Sequence, residues 1–165
     1  MDFNLSEEQK ELQNSVRKFA KNELIDIARQ IEETDEPPSV EIRKKYAELG
    51  YLGINLSEHY GGSGGTHLDA VIVLEEIAKV SIAVAFPIFE SCFGPCLAIS
   101  HFGNEKLKSW LLPEICSGNL VLAVSMSEPN AGSALTDLTT RGLVKGSDVV
   151  LNGTKRWCSG AGHAE

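Results

Sequence analysis

The sequence has neither of the features that would send it through or into a membrane. Its start, Met1-Asp2-Phe3-Asn4-Leu5, lacks the basic n-region and the apolar h-region of a secretory signal, and no uninterrupted apolar run approaches the ~20 residues of a membrane helix. A cytoplasmic protein without a membrane span is expected. Basic residues are in deficit, fifteen Lys and Arg against twenty-three Asp and Glu for a net charge of -8, and no stretch gathers them into a stripe. Nucleic acid is therefore not an expected partner, because phosphate-backbone binding needs that stripe. A small phosphate-bearing ligand remains open, since backbone N–H groups and one or two local cations suffice to hold it. The four cysteines form no CxxC pair: Cys92 and Cys96 stand one helical turn apart, Cys116 and Cys158 stand alone, and no His lies near them. They read as reduced structural thiols, so neither a metal centre nor a disulfide is expected. His59, His67, His101 and His163 are equally scattered, and none has a visible nucleophile partner. The order of glycines that ends in Lys-Ser/Thr in a P-loop is missing, as is GxGxxG between a strand and a helix.

What the chain does have is ordinary globular composition, 42% hydrophobic and 23% charged over 165 residues, enough to bury a core. Ser6-Glu7-Glu8-Gln9 has capping-box spacing, and Leu12, Val16, Ala20, Leu24, Ile27 and Ile31 then recur at steps of three and four. This predicts one amphipathic helix of about seven turns, closed by Pro37-Pro38. Ser39 caps a shorter helix carrying Ile42, Tyr46 and Leu49. Between Gly53 and Gly65, five glycines in thirteen positions predict a shaped loop, read as a packed turn between helices. Helical spacing resumes from Leu68 to Lys79 and from Ile82 to Ser100, the latter expected as a single helix kinked at Gly94-Pro95. Asn104 caps a helix through Trp110 and Leu112, and Pro113 opens a last short turn stopping at Gly118.

After Gly118 the period changes. Leu120 to Met126 is a short apolar run, and Thr139–Lys145 and Asp148–Lys155 flank a Gly146-Ser147 turn, which predicts strands. The expected organisation is a mainly α chain, with an antiparallel helical bundle over 1–118 and the first strands of a β domain over 119–165.

At this junction the chain resembles the acyl-CoA dehydrogenases. The similarity rests on the opening Leu-Ser-Glu-Glu-Gln, the loop Tyr60-Gly61-Gly62-Ser63-Gly64-Gly65, the stretch Gly103 to Pro113, and the order of these before Gly118. Its most specific part is Val124 through Ser133, where Glu128, Pro129, Gly132 and Ser133 match the flavin-binding signature, followed by Lys155-Arg156-Trp157-Cys158-Ser159. The resemblance implies FAD as cofactor and an incomplete β-barrel domain after the bundle. Its site residues would be Val124, Met126, Ser127, Gly132, Ser133, Trp157 and Ser159. Met126 and Ser127 would meet the ring edge, Gly132 and Ser133 the phosphate region, Trp157 a ring face, and the Ser159 hydroxyl the N5 side. Ser133 would also border the path of the acyl-CoA substrate. Ser127 and Ser159 replace the commoner Thr and keep the hydroxyl. Ala134 replaces Asp, with Asp137 a possible substitute, and Gly160 replaces Asn.

The resemblance further implies oxidation of the Cα–Cβ bond of an acyl-CoA thioester to trans-2-enoyl-CoA, as in fatty acid metabolism. The α-proton is taken by a glutamate that lies, in the family, on a later domain. No catalytic residue is therefore expected here, and the chain is expected to be a fragment, its sequence stopping at Gly160 to Glu165 in mid-domain. An electron-transfer flavoprotein is the expected acceptor, with oxygen open, and a homo-oligomer is expected. Short, medium and unusual acyl groups all remain open. The alternative of a different class is a non-redox helical module, for interaction or acyl-CoA binding, that shares the ancestry.

Overall fold

Ser6 starts the first helix as its spacing predicts. Its Oγ accepts from the Gln9 N–H at 3.2 Å and its own N–H donates to Gln9 Oε1 at 3.1 Å, closing the capping box of α1, Glu7–Phe19. The long helix expected from the apolar stripe is not uniform, because a π segment, Ala20–Leu24, separates α1 from α2, Ile25–Thr34. The stripe itself supplies the reason. A four-residue step overshoots one α turn and undershoots one π turn, so combining the two keeps Val16, Ala20 and Leu24, all buried, in one line. The computed structural model describes residues 4–164; Met1 to Phe3, on which the reading of the start partly rests, and Glu165 lie outside the described residues.

Ser39 caps α3, Val40–Glu48, by accepting from the Ile42 N–H at 3.4 Å. Thr66 and Asp69 form a second capping box that opens α4, His67–Ala78. The loop between these helices has the shape its glycines require. A Cβ on Gly62 would stand 2.3 Å from the Leu56 carbonyl oxygen, so that close approach admits no side chain.

The stretch after Ser81 departs from the expectation of a single kinked helix. It is two helices, α5, Ile82–Cys92, and α6, Gly94–Phe102, parted by Phe93 at φ -125° and ψ -105°. Pro95 falls in the first turn of α6, where its missing N–H costs nothing. The break is tied down by the preceding loop: Asn55 Nδ2 donates to the Cys92 carbonyl at 2.8 Å, and the Gly53 N–H donates to Ser91 Oγ at 3.3 Å. Ile82–Phe102 is long and apolar enough to cross a membrane by length and composition alone. Val84, Ala85, Ile88, Cys92 and Cys96 from this stretch are buried in the protein core. Pro113 also differs from expectation, lying inside α7, Glu105–Cys116, instead of opening a separate turn.

Two clusters form the core of the helical part. Val16, Leu24, Tyr46, Val73, Ile77, Val84 and Ile88 build the larger, and Leu56, Cys96, Leu112, Ile115 and Cys116 the smaller. Helix α4 packs on α1 and on α5, α5 on α6, and α6 on α7. The Glu76 carboxylate of α4 accepts from Arg17 Nε at 3.0 Å and Nη2 at 2.9 Å, and from Lys79 Nζ at 2.7 Å, which fixes α1 to α4.

The described chain divides into two units, one running through Leu122 and the other Ala123–Ala164. In the second, β1, Arg141–Lys145, and β2, Asp148–Asn152, pair antiparallel with Lys145 opposite Asp148. Gly146 at φ 63° supplies the first position of the two-residue turn. Leu120–Met126, expected as a strand, is irregular: no described strand lies beside it to accept and donate a ladder, so apolar composition alone does not make it one.

Candidate functional site

Residues 124–133 and 155–159 sit in the second unit, where hydrogen bonds join the two stretches. The Arg156 N–H donates to the Ser127 carbonyl at 2.9 Å. Lys155 Nζ donates to the Met126 carbonyl at 3.0 Å and to Glu128 Oε1 at 2.9 Å. Glu128 and Ala131 exchange N–H donors at 2.8 and 3.2 Å, which folds Pro129-Asn130 into a tight turn and delivers Gly132 and Ser133 at its end.

Glu128 is the centre of this unit. Its side chain is buried and held by donors on both oxygens: the Thr139 N–H and Oγ1 reach Oε2, each at 2.7 Å, and the Thr140 N–H reaches Oε1 at 2.9 Å. Thr140 beside it, the Thr139 N–H and the Lys155 ammonium hold its carboxyl well below the usual carboxylate range. A buried carboxylate so fixed organises backbone; it has no means of taking a proton near neutral pH.

Around this centre the apolar side chains named from the sequence face outward. Val124 is 43% exposed, Met126 48% and Trp157 77%. Trp157 adopts a left-handed φ of 59°, uncommon for a large side chain, and Arg156 Cζ covers its ring at 4.1 Å from the centroid. Ser127 is half-buried, and Gly132, Ser133 and Ser159 are exposed. A Cβ built on Gly132 meets nothing within 4 Å, so that position opens on free space. The structure thus joins Met126 and Ser127 to the segment carrying Trp157. Among the described residues no hydrogen bond ties Ser159 to them; it lies in the turn where the Ala161 N–H donates to the Cys158 carbonyl at 3.1 Å. Asp137, considered as a substitute for the acid absent at Ala134, is exposed and accepts from the hydroxyl of its neighbour Thr136.

Lys155, Thr139 and Thr140 carry much of this arrangement and were not singled out by sequence reasoning. A buried Glu needs compensating donors, and the Lys two residues before Trp157 was the available signal. Glu90 on α5 was also passed over. Burial pushes its carboxyl up to about 7, and it lines a cavity of about 10 Å³ with Arg43, Pro87 and Leu122. That volume holds about one water.

Residues 6–119 match the family model described as acyl-CoA dehydrogenase, N-terminal domain. The mitochondrial isovaleryl-CoA dehydrogenase of Bos taurus is 39% identical over 163 residues, which cover 98% of this chain and 38% of that protein. The structure of a glutaryl-coenzyme A dehydrogenase in complex with glutaryl-CoA superposes with a TM-score of 0.91 at 35% identity, covering 99% of this chain and 42% of that one. A glutaryl-CoA dehydrogenase from Mycobacterium smegmatis, in complex with FADH2, superposes at 0.86 with 26% identity over 93% of this chain and 39% of that one. The chain therefore spans about two-fifths of the length of these relatives, and by the match over residues 6–119 it belongs to the acyl-CoA dehydrogenase family.

Proposed function

We propose that this chain contributes an FAD-binding edge and its supporting helical unit to the α,β-dehydrogenation of an acyl-CoA thioester, giving the trans-2-enoyl-CoA. The observation that carries this reading is the joined pair of segments, Val124–Ser133 and Lys155–Ser159, which holds a buried carboxylate and presents the exposed indole of Trp157 with the exposed side chains of Val124 and Met126 and the hydroxyls of Ser127 and Ser133. These residues fit a flavin. A flat heterocycle needs an apolar wall with polar groups at its edge, and Trp157, Val124 and Met126 stand beside Ser127. The free space over Gly132 leaves room for a phosphate to approach the backbone next to the Ser133 hydroxyl.

FAD, when bound, supplies the two-electron acceptor. The chain's own residues bind and orient: Ser127 and Ser159 offer hydroxyls that donate or accept, Ser133 borders the acyl-CoA path, and Trp157 keeps water from one face. The Glu128 carboxylate is committed to four donors, which supports a seating role and leaves the α-proton to a base elsewhere in the protein. An electron-transfer flavoprotein is the acceptor we propose for the reduced cofactor, and a homo-oligomer the working form.

The experiment is anaerobic mixing of the purified chain, saturated with FAD, with acyl-CoA thioesters of several lengths, followed at the flavin absorbance. FAD uptake without bleaching is the expected result. Rapid stoichiometric bleaching with enoyl-CoA formation would show that a base lies among these residues after all. No uptake at saturating FAD would overturn the seating role.

A further inference from the structure

We infer that Lys155 is a positioning residue for the cofactor edge, turning the Met126–Ser127 peptide so that the Ser127 N–H is presented outward to a ligand acceptor. The inference rests on the FAD-seating reading above and deepens it. Lys155 Nζ donates to the Met126 carbonyl at 3.0 Å, and the same ammonium is held at 2.9 Å by Glu128 Oε1. Glu128 cannot drift, because Thr139 and Thr140 grip both its oxygens through two backbone N–H groups and a hydroxyl. The carboxylate therefore fixes the ammonium, and the ammonium fixes the carbonyl.

Peptide geometry supplies the next step. The described chain has no cis peptide bond, so the Ser127 N–H points opposite to the Met126 C=O and away from Lys155. Among the described residues that N–H has no acceptor, while the Ser127 carbonyl is already taken by the Arg156 N–H at 2.9 Å. It stands beside the 48% exposed Met126 side chain, where a ring edge would find a donor next to an apolar surface. Lys155 also sits two residues before Trp157, whose left-handed backbone persists only where its neighbours hold it. One side chain thus spans both segments, bonded to a main-chain carbonyl in one and anchored two residues from the indole of the other.

The test uses the full 165-residue chain with the variant Lys155→Met, which keeps length and apolar stem and deletes the ammonium, and Glu128→Gln as a second probe. Amide resonances are recorded with and without FAD, FAD affinity is measured by titration, and the hairpin amides of Arg141–Asn152 report whether the unit stays folded. Expected for Lys155→Met are a displaced Ser127 amide resonance, loss of protection at the Arg156 N–H, an FAD affinity lower by about tenfold or more, and an altered visible band of any bound flavin. The hairpin amides should stay as in the parent chain. Glu128→Gln should move the same amides in the same direction. Unmoved Ser127 and Arg156 amides, or an affinity within about threefold of the parent, would overturn the inference, as would hairpin amides released together with the rest. A parent chain that shows no FAD response would defeat the seating reading alone; displaced Ser127 and Arg156 amides in Lys155→Met would then still sustain the clamp.

Discussion

Two buried carboxylates in the helical unit, Glu76 and Glu90, sit in opposite environments. Arg17 and Lys79 satisfy Glu76 and hold its carboxyl down at about 2 against burial. Among the described residues no cation pairs with Glu90, and burial raises it to about 7. A depressed folded-state value makes Glu76 stabilising above its ordinary value of 4.5, a contribution lost as pH falls towards 2. The raised value of Glu90 works the other way: the folded chain keeps a proton that the unfolded chain releases, so its contribution is complete below 4.5 and fades as pH rises through about 7. Urea unfolding of Glu90→Gln across pH 4 to 8 should lack that decline and exceed the parent above neutrality by about 1–3 kcal/mol. Parallel pH profiles for the two proteins would contradict the assignment. At the cofactor edge, Trp157→Ala should weaken FAD binding by about tenfold or more, since an exposed indole is the main flat surface there; equilibrium dialysis reads it, and an unchanged affinity would remove Trp157 from the site. That the segments around Glu128 and Trp157 belong together was legible from the motif spacing, and hydrogen bonds join them. How they are held was not, because the donors to Glu128 come from Thr139, Thr140 and Lys155, eleven to twenty-seven positions away.

At the scale of elements, the helices announced themselves where a cap and a period coincided. Ser6, Ser39 and Asn104 each accept the backbone donor their spacing implied. The misreadings share a cause, which is that local rules were overruled by contacts made elsewhere. Pro113 was expected to interrupt a helix, but packing of Leu112, Ile115 and Cys116 into the smaller core carries α7 past it. The break at Phe93 is held by Asn55 and Gly53 from a loop about forty residues earlier, a contact no local pattern displays. Leu120 to Met126 has strand composition, but no described strand pairs with it. Helix α5 is the element on which the larger core depends, with Val84, Ala85, Ile88 and Cys92 buried along it. Ile88→Ala should therefore cost about 2–5 kcal/mol of unfolding free energy, whereas Ile82→Ala, at a site 70% exposed, should stay within about 0.5 kcal/mol. Denaturant melts followed by far-UV circular dichroism compare them, and equal losses would show that α5 is not seated as described.

At the scale of the molecule, the two units differ in how much they bury. The helical unit holds two apolar clusters, while all ten residues of β1 and β2 are exposed, Val144 at 77% and Leu151 at 73% among them. A two-stranded hairpin is marginal in water, and its open edges and apolar faces invite pairing with another copy. Sedimentation velocity should show mass rising with concentration, and Val144→Lys with Leu151→Lys should suppress it. A monomer at every concentration in the parent chain would contradict this. In the proposed function the second unit seats FAD through two hydrogen-bonded segments. Titrating the isotope-labelled 165-residue chain with FAD, and following each backbone amide, addresses that claim most directly. Shifts are expected to concentrate at Met126, Ser127, Gly132, Ser133, Trp157 and Ser159 with the α1–α4 amides unmoved; shifts spread over the helices, or none at saturating FAD, would contradict this seating.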